Sequence, residues 1–161
     1  GGASDTLESE TNARHLEGRI IFTGFVNWEN LALYYSLGDI FVTASLSEMH
    51  SMTALEALLS HLPIVCRADE SFSDTVFHGE NGFLAETDEE MDDFILDLVD
   101  DETKRKQFAE RSFEISKNFS IKLHGLRTVE FYKFILKHYP LPSPVFDREL
   151  KKAIDAVRVE N

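Results

Sequence analysis

The sequence predicts an α/β fold: a parallel sheet flanked by helices, followed by a helical C-terminal part. Three observations predict it. Short β-branched or aromatic runs alternate with helical stretches between residues 19 and 85. Those runs are nearly continuously apolar, as in strands covered on both faces. Beyond residue 87 only helical periodicity and proline breaks remain.

The elements follow in order. The leading Gly-Gly-Ala-Ser reads as an added scar or a native loop. Residues 19–26 (RIIFTGFV) read as a buried strand. In 28–37, Leu31, Tyr34 and Tyr35 share a helical face, and Gly38 ends the helix. DIFVTAS, 39–45, is a second strand. In 51–62, Leu55, Leu58, Leu59 and Leu62 form one apolar stripe. Pro63 stops that helix, and PIVCRA, 63–68, is a third strand. A short helix over 71–78 and a turn at 79–82 lead into a small strand, 83–85. Thr87 and Glu90 have capping-box spacing ahead of a stripe of Met91, Phe94, Ile95, Leu98 and Val99. Further helices are expected over 102–117, 121–139 and 146–157, with Pro140, Pro142 and Pro144 forcing an extended stretch between the last two. Three or four strands make a small sheet for this class, so a larger α/β domain is expected, with companion strands upstream of residue 1.

Bulk properties narrow the function. A formal net charge of −13 excludes sequence-independent binding to nucleic acid, and makes anionic lipid a poor partner for the chain as a whole. Residues 86–102 hold ten acids and no Lys or Arg, which reads as a solvated helix face. The single cysteine, Cys66, lies in an apolar run and reads as core, so no internal disulfide forms. No apolar stretch approaches the roughly 18 residues of a membrane span, and no signal peptide is seen, so a cytoplasmic location is expected. Glu48, His50 and His61 lack the spacing of a metal site. Trp28, Tyr34 and Tyr35 read as packing groups.

The chemistry concentrates at residues 47–57, SEMHSMTALEA. They stand at the carboxyl end of a strand, where open α/β sheets bind ligands. The helix that follows presents unpaired N–H groups from about Ser51 to Ala54, suited to a phosphate or carboxylate. Met52, Thr53 and Glu56 share a side of that helix away from the leucine stripe. Glu56 could accept hydrogen bonds from hydroxyls at a cleft mouth. A phosphate joined to something rich in hydroxyls, such as a nucleotide-sugar, would use the whole cluster. On spacing alone, Glu48 also reads as a surface loop residue and Glu56 as an exposed helix residue.

The ordered motifs resemble the C-terminal half of a two-domain GT-B glycosyltransferase of the retaining family 4, also called group 1. The carriers are EMHSMTALE followed by ALLSHLPIVC, with RIIFTGFV, LYYSLGDIFVTAS and FHGENGFLAE in family order over about residues 14–135. The resemblance implies a Rossmann-like nucleotide-sugar-binding domain over residues 1–139, truncated on its N-terminal side. Residues 140–161 would then be a proline-rich linker and a helix that crosses to a missing N-terminal domain. It implies Glu48 as the catalytic-site acid and Glu56 on the donor ribose. His50, Ser51, Met52 and Thr53 would lie along the sugar and diphosphate, and Phe25 and Val26 along the base. It implies transfer of a hexose from a UDP- or GDP-sugar with retention, no metal and no cofactor. The acceptor, and any peripheral membrane association, would fall to the missing domain. Ser47, Glu48 and Thr53 resemble a branch with bacterial lipid and cell-wall glucosyltransferases, which suggests a cell-envelope acceptor. The family commonly has Gly-Phe-Gly-Leu-Pro after the first Glu, where this chain has Met-His-Ser-Met-Thr. Glycine lets a ligand approach the backbone closely. Its absence, with the acidic surface, motivates the alternative of a non-catalytic binding or scaffolding module.

Overall fold

The computed structural model describes residues 2–46, 51–138 and 143–157. The chain forms two compact units, Gly1–Tyr34 and Tyr35–Asn161, with the boundary inside a helix.

The first unit opens with helix α1, Gly2–Ala13, where a loop or scar is expected from the sequence. Its Thr11 hydroxyl bonds back to the Leu7 carbonyl at 2.8 Å, and Arg14 pairs with Glu10 at 2.7 Å. Helix α2, Trp28–Ser36, begins in this unit. Between them the expected strand at 19–26 does not form. Its apolar side chains are open, with Ile21 81% and Phe25 92% exposed. A strand needs a neighbour for its backbone donors and acceptors, and among the described residues this unit supplies no strand, only an isolated bridge between Glu17 and Ile20. Gly24 also sits at φ 61°, a left-handed turn that a strand does not contain. Trp28, expected to pack, is 81% exposed.

The second unit holds the sheet. Strands β1 (Phe41–Thr43), β2 (Ile64–Arg67) and β3 (Gly82–Ala85) run parallel in the order β1-β2-β3. Ile64 pairs with Phe41 on one side and with Gly82 on the other. Helix α3, Met52–Leu59, crosses between β1 and β2. After β3 come α4 (Asp88–Asp100), α5 (Glu102–Ser116), α6 (Ile121–His138) and α7 (Ser143–Asp155). This is the expected parallel sheet with flanking helices and a helical C-terminal part.

Alternation along β2 builds a core on each face. Ile64 and Cys66 pack with Ala54, Leu58, Phe72 and Ile115. Val65, on the other face, packs with Phe83, Met91, Leu98 and Phe108. The buried side of α3 is Ala54, Ala57 and Leu58, while Leu59 from the expected leucine stripe is 60% exposed. The expected helix over 71–78 is instead a single 3-10 turn, Glu70–Phe72, begun by Asp69, whose carboxylate accepts from Ser71 N–H at 2.9 Å. The segment after it is held by Asn81, which is fully buried. Its amide donates to the Thr75 carbonyl at 3.1 Å and accepts from Phe77 N–H at 2.8 Å. On β3, Leu84 N–H donates to His78 Nδ1 at 3.2 Å, and that ring meets Phe83 and Phe94 edge-on. The expected cap of α4 forms. Glu90 N–H donates to Thr87 Oγ1 at 3.1 Å, and Glu90 reaches back to Glu86 N–H at 2.9 Å.

Candidate functional site

The carboxyl end of β1 leads across residues 44–51 to the amino end of α3. Ser51 starts the helix in extended geometry, φ −76° and ψ 100°, and its hydroxyl accepts from Ala54 N–H at 3.3 Å. The Ser51 carbonyl takes Leu55 N–H at 3.2 Å. Met52 and Thr53, in the first turn, have no intrahelical acceptor for their N–H groups, as at any helix start. That end carries a partial charge of roughly +0.5. Ser51 is buried, while Met52, 62% exposed, and Thr53 reach solvent. The two hydroxyls of Ser51 and Thr53 lie 3.0 Å apart.

Glu56 is half-buried one turn further on. Tyr35 of α2 holds it: the hydroxyl donates to Glu56 Oε2 at 3.0 Å and lies 3.4 Å from the Thr53 carbonyl. The Tyr35 ring rests against Phe41 of β1, centroids 6.0 Å apart. Burial pushes the Tyr35 hydroxyl far above the ordinary phenol range, and the hydrogen bond and charge of Glu56 raise it further. Tyr35 therefore stays a donor at any working pH.

Of the expected site residues, the structure brings Ser51, Met52, Thr53 and Glu56 onto the first turns of one helix. Glu48 and His50 lie outside the described residues. Phe25 and Val26 belong to the first unit, Phe25 open and Val26 half-buried.

Beside the start of α3 a cleft of about 900 Å³ opens. Met52 and Leu55 line it from α3, Asp74 and Phe77 from the segment before β3, and His124 and Arg127 from α6. Arg127 Nη1 donates to the Asn118 carbonyl at 3.2 Å, while its Nε is buried without a partner among the described residues. Sequence reasoning missed Tyr35, Asp74, His124 and Arg127 as neighbours of this helix. No local spacing connects them to it; only tertiary packing does. No three His, Cys, Asp or Glu side chains gather among the described residues in a way that could hold a metal ion.

Comparison with known proteins gives consistent relatives. The family model described as "Glycosyl transferases group 1" matches residues 1–114. The chain is 40% identical over 68 residues, 42% of its length, to the alpha-monoglucosyldiacylglycerol synthase of Acholeplasma laidlawii, covering 17% of that protein. It is 27% identical over 129 residues, 78% of its length, to the enzyme of the same name from Streptococcus pneumoniae, covering 28% of it. The chain thus spans less than a third of either relative. Among solved structures, the C-terminal domain of a glycosyl transferase group 1 family protein from Francisella tularensis superposes with TM-score 0.67 at 25% identity, over 74% of this chain and 64% of that one. HepE of Anabaena, solved in complex with UDP-glucose, shares the fold with TM-score 0.64 at 18% identity, over 96% of this chain and 37% of that one.

Proposed function

The chain belongs to the glycosyl transferases group 1 family, and from that premise we propose that it is the donor-binding domain of an enzyme that transfers a hexose from a nucleotide-sugar with retention. The observation that carries this reading is the start of α3. Open first-turn amides, two hydroxyls and a tethered carboxylate stand within one and a half turns of each other. In this reading the Met52 and Thr53 amides, with the Ser51 and Thr53 hydroxyls, take the diphosphate and sugar. Glu56 accepts from the ribose hydroxyls. Glu48 and His50 serve the donor sugar, with Glu48 as the catalytic acid residue, and Phe25 and Val26 line the base.

The transfer breaks the bond between sugar C1 and the diphosphate oxygen. It forms a bond from C1 to an acceptor hydroxyl oxygen on the same face, and the acceptor proton leaves with the nucleoside diphosphate. A half charge at one helix end does not balance the roughly −2 charge of the leaving diphosphate. Further cations are needed, and Arg127 in the adjacent cleft is the candidate on this chain. A lipid acceptor is suggested by relatives named as monoglucosyldiacylglycerol synthases. Its binding groups would lie in a part of the protein beyond this chain.

The test is calorimetric titration of UDP-glucose, UDP and GDP-mannose onto the protein, beside Glu56→Ala. Loss of a charged hydrogen-bond acceptor is expected to weaken the preferred donor by ten- to a hundredfold, about 1.5–3 kcal/mol. Failure of every donor to bind, or an unchanged affinity in Glu56→Ala, ends this assignment.

A further inference from the structure

We infer that Tyr35 is a positioning residue for the donor: it holds the Glu56 carboxylate in the orientation that meets the nucleoside hydroxyls. The inference rests on the donor-binding reading of Glu56 given above.

Three observations carry it. The bond is direct, Tyr35 Oη to Glu56 Oε2 at 3.0 Å. It crosses from one element to another, α2 to α3, so it is not a by-product of helical spacing. And Tyr35 is itself fixed, half-buried with its ring against Phe41 at the start of β1. Glutamate side chains lose considerable rotamer freedom when ordered. A carboxylate already tied to a rigid phenol has met that cost before the ligand arrives, which raises affinity by preorganisation.

The chemistry also assigns the two oxygens different duties. Oε2 accepts from Tyr35, so Oε1 is the oxygen left with both lone pairs for a ligand hydroxyl. One nucleoside hydroxyl would bond Oε1 as its main contact. A neighbouring hydroxyl could share only the remaining lone pair on Oε2. Held in this orientation, the carboxylate meets a vicinal diol with two contacts and a single hydroxyl with one, and so discriminates ribose from 2′-deoxyribose.

The experiment is a double-mutant cycle read by titration of UDP-glucose and 2′-deoxy-UDP-glucose. Tyr35→Phe keeps the ring on Phe41 and removes only the donor. It is expected to weaken UDP-glucose about five- to tenfold, to narrow the gap between the two ligands, and to leave the melting temperature near that of wild type. In a Glu56→Ala background the same change is expected to have no further effect, because nothing remains to position. A second readout needs no ligand: the Tyr35 ¹³Cζ resonance, followed through alkaline titration, should titrate at lower pH in Glu56→Gln, since the carboxylate that opposes the phenolate is gone. Tyr35→Phe binding UDP-glucose within twofold of wild type overturns the inference while leaving the role of Glu56 standing. An equal loss in both backgrounds also overturns it, by marking Tyr35 as a general packing residue. If wild type binds neither ligand, the donor-binding reading falls and this inference with it. The ¹³Cζ titration then reports whether the Tyr35–Glu56 tie exists at all.

Discussion

Single residues show what the sequence makes legible and what it hides. Cys66 reads as core from its apolar run alone, and it is fully buried on β2. Burial, with the charge of Asp69 nearby, pushes its thiol up to about 12 from 9.0. The folded pKa is raised above the unfolded one. The associated stability is therefore complete below about pH 9, and is lost as the pH rises from about 9 to about 12. The slope for one such group is about 1.4 kcal/mol per pH unit. Urea unfolding at pH 8, 9.5 and 10.5 should show a steeper alkaline loss in wild type than in Cys66→Ala, and a thiol reagent at pH 8 should label Cys66 only after denaturation. Tyr35 was the opposite case. Its ring is visible in the sequence as a packing group, but its grip on Glu56 joins residues 21 positions apart, which no local pattern carries.

Elements were legible where their cause is local. The Thr87–Glu90 cap of α4 is written in four consecutive residues and forms as read. Thr87→Ala should cost about 1 kcal/mol in chemical denaturation. The strand expected at 19–26 failed for the converse reason. β-Branched content states a preference, but a strand exists only where another strand takes its backbone groups. The leucine stripe of α3 holds at Leu55, Leu58 and Leu62, which pack into the core, and fails only at Leu59, where the small residues Ala54 and Ala57 do the close packing instead. Helix α1 was missed because Ser, Thr and Asn dilute its pattern and favour local turns in isolation. Gly82, by contrast, was seen only as part of a turn, yet it begins β3. A Cβ there would lie 2.0 Å from the Ile64 carbonyl oxygen and 2.9 Å from its carbon. Both are backbone atoms of the central strand, so neither can swing aside. Gly82→Ala is expected to destabilise by more than about 3 kcal/mol, seen as a collapse of the urea midpoint or of soluble yield. Normal stability in that variant would contradict the β2–β3 pairing described here.

The molecule as a whole carries its charge unevenly. The formal total is −13, yet residues 117–138 hold five Lys or Arg and a single acid. The ten acids of 86–102 lie mainly on α4, where like charges crowd one helix. Self-repulsion of this kind is screened by salt. The melting temperature should rise between about 20 and 200 mM NaCl, and a fall would mean that the surface ion pairs outweigh the repulsion. The layered architecture was readable from the alternation of apolar runs and helical stretches, because burial of both sheet faces leaves its mark on every strand. How the elements meet around α3 was not, since Met52, Asp74 and Arg127 share a cleft only through tertiary packing. The strand order has a kinetic consequence. All three strands run parallel, so no hairpin exists within the sheet to nucleate it, and each strand must wait for its crossover to close. Refolding of this unit should proceed in milliseconds to seconds rather than microseconds, with the helices acquiring their signal before the sheet locks.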